Sequence, residues 1–145
     1  MTLTDNMARM VERLRLKLYD VDASLNLLDG RLEFEDARLE GFIRESLDKT
    51  NDEAPQTNYG IGNFPNRSVL VQGAFVHALK ARALLHLRNQ VNYNDAGLSV
   101  GIEDKHALYL QVAQMEEQEY QRMLRVYKST EVPSMIGIDS PFGWY

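Results

Sequence analysis

The chain of 145 residues contains no cysteine, which excludes a disulfide frame, a thiolate metal site and a cysteine nucleophile. Its core must therefore carry stability alone, a composition that suits a reducing interior. It also lacks a long apolar run. The most hydrophobic stretch, Val69 to Leu87, is broken by His77, Lys80, Arg82 and His86, well short of the roughly 20 apolar residues that a bilayer requires. Residues Met1 to Met7 show no basic region followed by an apolar block, so no secretory signal is expected. Basic residues are in short supply: 16 Lys and Arg face 21 Asp and Glu, a formal charge of -5. Non-specific DNA affinity comes from cations neutralising phosphates, so the charge argues against a general nucleic-acid binder. It does not exclude a protein that surrounds DNA without gripping it.

Catalytic patterns are missing too. Glu103 and His106 form one Glu-x-x-His unit, of which di-iron bundles use two, and His77 and His86 have no Glu three residues before them. The segment Gly60-Ile61-Gly62 leads into Asn63-Phe64-Pro65 rather than a phosphate-binding helix start. No nucleophile elbow or carboxylate pair stands out. The expectation is a non-enzyme with no cofactor and no metal.

What the chain does have is helical periodicity. Met7, Met10, Val11, Leu14 and Leu18 fall on one stripe of a first helix starting near Thr4 or Asp5. The cations Arg9, Arg13, Arg15 and Lys17 read as its solvated face. Leu25, Leu27 and Leu28 form an apolar connector. Leu39, Phe42, Ile43 and Leu47 restore helical spacing after the acidic start at Glu35 and Asp36. Thr50 to Arg67 is dense in Asn, Gly and Pro and predicts a long surface loop. Ser68 can then cap a helix running from Val69 to about Asn89, which is apolar nearly all round and so reads as the buried central helix. A last helix opens at Glu103 or Asp104 and runs to about Lys128, with Leu108, Val112, Met115, Tyr120, Met123, Leu124 and Tyr127 read as one broad apolar face.

Two segments stand apart from this pattern. Between the last two helices, Val91 and Tyr93, then Leu98 and Val100, alternate around a polar Gly-containing turn, which predicts a short β-hairpin. Two strands alone are marginal in water and their edges offer unpaired backbone groups, so Tyr93, Asp95, Leu98 and Val100 are expected to make intersubunit or downstream contacts. After Lys128 the composition turns abruptly to Pro, Gly and large apolar residues. Pro133, Gly137, Pro141 and Gly143 cannot continue a helix, while the tail holds the chain's single Trp and only Glu131 and Asp139 as charged residues. Such an extended strap suits docking on another protein, with Met135, Ile136, Ile138, Phe142, Trp144 and Tyr145 as contacts. The expected fold is therefore mainly α: a four-helix domain over residues 1–128, a hairpin between its last two helices, and an extended C-terminal tail over residues 129–145.

This order resembles the head-to-tail connectors of tailed bacteriophages. The acidic second helix Phe34-Glu35-Asp36-Ala37-Arg38-Leu39-Glu40-Gly41-Phe42-Ile43 is one point of likeness, and Tyr93-Asn94-Asp95-Ala96-Gly97-Leu98-Ser99-Val100, followed by Asp104-Lys105 and a Tyr-containing helix, is another. Together they resemble the adaptor, or neck, family over roughly residues 20 to 145. The resemblance implies a structural virion protein at the head–tail junction, made in the host cytoplasm. It would form a ring of twelve subunits under the portal protein and extend the DNA channel without specific DNA binding. Its C-terminal segment, here Ser134 to Tyr145, would dock on the portal, and its other end would meet a downstream neck or tail protein. The long loop at Thr50 to Arg67 departs from a minimal adaptor. Two other classes fit the residues: a small helical oligomeric regulator that uses its tail as a peptide ligand, and a metal-dependent helical-bundle enzyme.

Overall fold

In the computed structural model, which describes residues 3–27, 30–88, 94–95, 98–99 and 105–131, the architecture is mainly α, built on four helices. They are α1 (Leu3–Leu18), α2 (Asp36–Asp52), α3 (Arg67–Arg88) and α4 (Lys105–Glu131). A 3-10 turn at Ala23–Leu25 lies between the first two.

The central role expected of α3 is met, for it packs against each of the other three helices and most extensively against α4. Arg13 reaches Ser68 and Lys17 reaches Gln72, so α1 runs in the same direction as α3. Against α4 the order reverses: Gln72 bonds the Glu116 backbone oxygen, and Ala83 meets His106. The tightest point is Gly73, where α2, α3 and α4 converge. A Cβ there would lie 2.2 Å from Ser46 Oγ and 2.9 Å from Tyr120 Cε2, so only glycine lets the backbones approach this closely. Beside it Thr50 Oγ1 donates to the Ser46 carbonyl at 2.7 Å and sits 3.0 Å from Tyr120 Oη, which satisfies polar groups the core has buried.

Around this point Met10, Leu14, Leu39, Ile43, Val69, Leu70, Ala74, Tyr120 and Leu124 form one apolar cluster. The first helix is the stripe the spacing predicts, with Met7, Met10, Val11, Leu14 and Leu18 all buried.

Three expectations are corrected. The cations of α1 are not simply a solvated face: the Arg15 guanidinium bonds Asp20, the Phe34 carbonyl and Asp36. Lys17 bonds Gln72 and lies over the Phe75 ring. Nor is the connector after α2 a plain surface loop. Ile61 and Phe64 are buried in the core, Asn51 binds Tyr59 and Thr57 through both ends of its amide, and Lys128 donates to the Pro55 carbonyl and Thr57. Finally, the apolar residues of α4 form two faces rather than one. Ala113, Tyr120, Leu124 and Tyr127 are buried, while Leu108, Val112 and Met115 are exposed. At 3.6 residues per turn the two sets point about 120° apart, too far to share one contact.

Of the hairpin, Asn94–Asp95 and Leu98–Ser99 pair antiparallel, Asn94 opposite Ser99 and Asp95 opposite Leu98. The rest of the expected strands, with Val91, Tyr93 and Val100, lies outside the described residues. So does the tail beyond Glu131, and with it Met135, Ile136, Ile138, Phe142, Trp144 and Tyr145.

Candidate interaction surfaces

Among the described residues, exposed apolar side chains gather mainly on two surfaces. The first is the distal part of the α3–α4 pair. Leu84 and Leu87 lie eleven residues, about three turns, beyond the buried Gly73 and Val76, and so continue the same face of α3. Gly73 is covered because Ser46 of α2 and Tyr120 of α4 meet there; the segment leading into α2 pairs with α3 at Arg82 through Glu33, and Arg38 in the first turn of α2 lies beside Leu85. Leu84 is 60% exposed. The pair stays joined here by polar and aromatic contacts: His106 Nδ1 lies 2.8 Å from the Ala83 carbonyl, and the His86 ring stacks on Tyr109 at 5.0 Å. Arg82 lies over both the Phe34 and Tyr109 rings at the base of this arm.

On α4 the outer stripe is Lys105, Leu108, Val112 and Met115, at helical spacing i, i+3, i+7 and i+10, with Met115 64% exposed. Lys105, Leu108, Tyr109 and Val112 line a shallow depression of about 290 Å³.

The second surface is a knuckle between α1 and α2. Leu16, Tyr19, Val21, Leu25, Leu27 and Leu32 are all exposed, Tyr19 by 81% and Leu27 by 94%. No residue of its 3-10 turn is buried. Order comes from polar contacts instead. Asp22 accepts from the Ser24 amide at 2.9 Å, and Asn26 Nδ2 donates to the Arg31 carbonyl at 3.1 Å. The buried Asp20 carboxylate takes both the Glu33 and Phe34 amides and an Arg15 N–H. These bonds fix the backbone of a segment whose apolar side chains are exposed. Tyr19 is also the single described non-glycine residue with positive φ, at 55°. It follows the last turn of α1, where Gly or Asn ends a helix without strain. A bulky residue in this left-handed region is uncommon and pays a steric cost.

Between α1 and α2 runs an open groove of about 450 Å³ with Met7, Val11 and Ile61 along it and Glu12, Arg15, Asp36, Glu40 and Arg44 around it. Across the α2–α3–α4 seam, Glu117 accepts from Lys49 at 3.0 Å and from Lys80 at 2.5 Å. Burial alone would raise the Glu117 carboxyl, but hydrogen bonds from Lys80, Lys49 and Gln121 outweigh it and hold the pKa at about 2. His77, whose Nδ1 is 3.6 Å from Glu45, is pushed down by burial despite that carboxylate. Among the described residues no group of three or more His, Asp and Glu comes together in a way that could hold a metal ion. Nor is any described helix long and apolar enough to cross a membrane.

The root of the tail is firm. Tyr59 Oη donates to Glu131 at 3.0 Å, Phe64 packs on Tyr127 with ring centroids 5.3 Å apart, and Lys128 is tied to the connector as described. Of the residues expected to make contacts, Asp95 and Leu98 are brought opposite one another by backbone pairing, while Tyr93, Val100 and the tail set lie outside the described residues. Sequence reasoning missed Tyr19, Leu27, Leu84 and the α4 outer stripe. The stripe had a signal, its offset from Tyr120 and Leu124 on a helical projection, and the knuckle had the cluster Leu25, Leu27 and Leu28. Compared with protein-family models, curated proteins and solved structures, the chain matches none.

Proposed function

We propose that this chain is a non-catalytic ring subunit, an adaptor between portal and tail in a tailed-phage virion. The observation that carries the reading is the pair of ordered, exposed apolar surfaces, the knuckle and the α4 stripe. Contiguous apolar exposure of this extent marks association surfaces in soluble proteins. A ring subunit needs two lateral surfaces, a wall that does not retain DNA, and a tether. The wall is supplied by acidic residues such as Glu45, Asp48 and Asp52, one stripe of α2 exposed to solvent, which repel phosphates so that DNA slides past. The tether is the apolar segment after Glu131, whose root the Tyr59 bond and the Lys128 clamp hold in place. A hairpin over residues 91–101 reaches the downstream partner in this reading, and no cofactor is required.

The test uses the full chain and a truncation after Glu131, each mixed with purified portal rings. Deletion is expected to leave helix content unchanged and to abolish capture by the portal. Undiminished capture would remove the tail from the docking role. Capture by neither protein, with a tail that binds some other protein as a peptide, would favour the regulatory reading.

A further inference from the structure

We infer that the groove between α1 and α2 is where the tail of the same chain rests, with Asp139 beside Arg44 and with Phe142 and Trp144 along Met7, Val11 and Ile61. The inference rests on the tether reading proposed above and names where the tether is stored before another protein takes it up.

Three observations carry it. The first is position. Tyr59 holds the Glu131 carboxylate, and Ile61, two residues along, lines the groove, so the groove begins beside the root from which residues 132–145 depart. Asn6 Nδ2 donates to the Gly62 carbonyl, which puts this end of the groove at the start of α1. The exposed apolar surfaces lie farther off. The knuckle follows the opposite end of α1, a helix about 24 Å long, and Met115 is sixteen residues, again about 24 Å, back along α4 from Glu131. Residues 132–138, extended over about 23 Å, are enough to carry the chain from its root to the groove.

The second is length. The groove runs along α1 from Thr4 to Arg15, eleven residues or about 16 Å, and its volume of about 450 Å³ is within the range of cavities that take a compact ligand. Residues 139–144, extended, span about 17 Å, which matches it. Pro133 and Pro141 restrict the free chain, so less freedom is lost when the tail settles.

The third is charge. Helix α1 runs along α3, whereas α2 runs against it, with Ser46 meeting Gly73 and Glu33 meeting Arg82. Helix α2 is therefore antiparallel to α1, and Arg44 falls at the Ile61 end of the groove. Arg44 is exposed and forms no ion pair among the described residues. Asp139 is the single charged side chain after Glu131. Farther along the groove come Glu12 and Glu40, while Asp36 is held by Arg15. The stretch Ser140 to Tyr145, which faces them in this register, carries no charged side chain. An acid thus meets an unpaired cation and neutral residues meet the acids, a complementarity that fixes register.

The chain's single Trp lies in the tail and reports on where it rests. The test measures acrylamide quenching of tryptophan fluorescence on the full chain, with circular dichroism to show that each variant is folded. Ala8→Glu and Arg44→Glu change the groove at exposed sites, whereas Leu27→Glu and Met115→Glu change the knuckle and the α4 stripe. Wild type is expected to quench about threefold more slowly than free N-acetyltryptophanamide, the ratio for a tail at rest two-thirds of the time. Both groove variants should quench about twice as fast as wild type, and the other two should match it. A Trp144 as open as the free amide in wild type, shielding that neither groove variant reduces, or release by Leu27→Glu or Met115→Glu instead, overturns the inference. Shielding lost on about hundredfold dilution would give the groove to the tail of a second copy and overturn it too. Capture by portal rings is read separately, and Ala8→Glu should raise it about threefold by freeing the tail. An open Trp144 with capture intact removes the groove and leaves the tether reading standing; a shielded Trp144 without capture does the reverse.

Discussion

Single positions decide how closely these helices approach. Gly73 is the clearest case, since a methyl group there would fall 2.2 Å from Ser46 Oγ. Gly73→Ala gains helix propensity but overpacks three helices, and a net loss of about 2 kcal/mol is expected in urea unfolding. Ser46 Oγ is buried without a hydrogen-bond partner, so removing it costs little and makes room. The double variant Ser46→Ala/Gly73→Ala should therefore recover part of the loss. Strict additivity of the two would show that Ser46 is not the obstacle. Tyr19 shows the opposite relation, a residue whose conformation costs stability: Tyr19→Gly is expected to stabilise the isolated chain by about 1 kcal/mol in the same measurement. Neither position was legible in the sequence, where Gly73 is one small residue in an apolar helix and Tyr19 one tyrosine after a helix. The reason is that their meaning depends on what lies opposite, Ser46 in one case and open solvent in the other.

At the scale of elements, the helices are tied by polar contacts placed across seams. Glu117 joins α2 and α3 to α4 through Lys49 and Lys80. Its carboxyl is held at about 2, below the value of 4.5 for an unpaired glutamate. A depressed acid contributes stability that is fully present above the unfolded value and is lost as pH falls from about 4.5 towards 2. His77 acts in the same direction at higher pH. Burial lowers its pKa from 6.5, so the unfolded chain takes up a proton first and stability declines as pH drops below that value. The midpoint of urea unfolding should thus fall on acidification from neutral pH, first through His77 and then through Glu117. Glu117→Gln should flatten the second part of that decline and cost about 1 kcal/mol at pH 7, where two ammonium groups lose their partner. A pH profile unchanged by the substitution would assign the acid sensitivity elsewhere. Arg15 does comparable work between α1 and α2, and the sequence placed it on a solvated face because charge runs usually lie there; its targets, Asp20, Phe34 and Asp36, come from a segment that periodicity does not fold.

For the whole molecule, α4 runs past Lys128 to Glu131, the last residue described, and Tyr59 binds the Glu131 carboxylate. Where the tail is cut therefore decides what is tested. Truncation after Glu131 is expected to leave the melting temperature within about 2 °C of wild type, whereas truncation after Lys128 removes the Tyr59 partner and should lower it by several degrees. Equal melting of the two truncations would show that the Tyr59–Glu131 bond contributes nothing to the fold.

What the sequence determined by itself is the helical plan. The 3.6-residue recurrence of Met10, Leu14, Leu39, Ile43 and Leu124 requires amphipathic helices whatever they pack on, and four of them follow from where the recurrence stops. The break at Thr50 to Arg67 and the central place of α3 were legible for the same local reason. Only the tertiary structure decided which apolar residues are covered. Leu84 and Val76 are both apolar residues of α3, and Leu108 and Tyr120 both look like core on α4; the start of α2 lies beside Arg82 and Leu85 while Leu84 stays exposed, and packing against α3 selects one face of α4 over the other. Burial is a property of pairs of elements, so one helix's sequence cannot state where its neighbour ends. That is why the core was readable from periodicity, and why the exposed apolar residues of the knuckle and the outer stripe emerged only once the helices were set against each other.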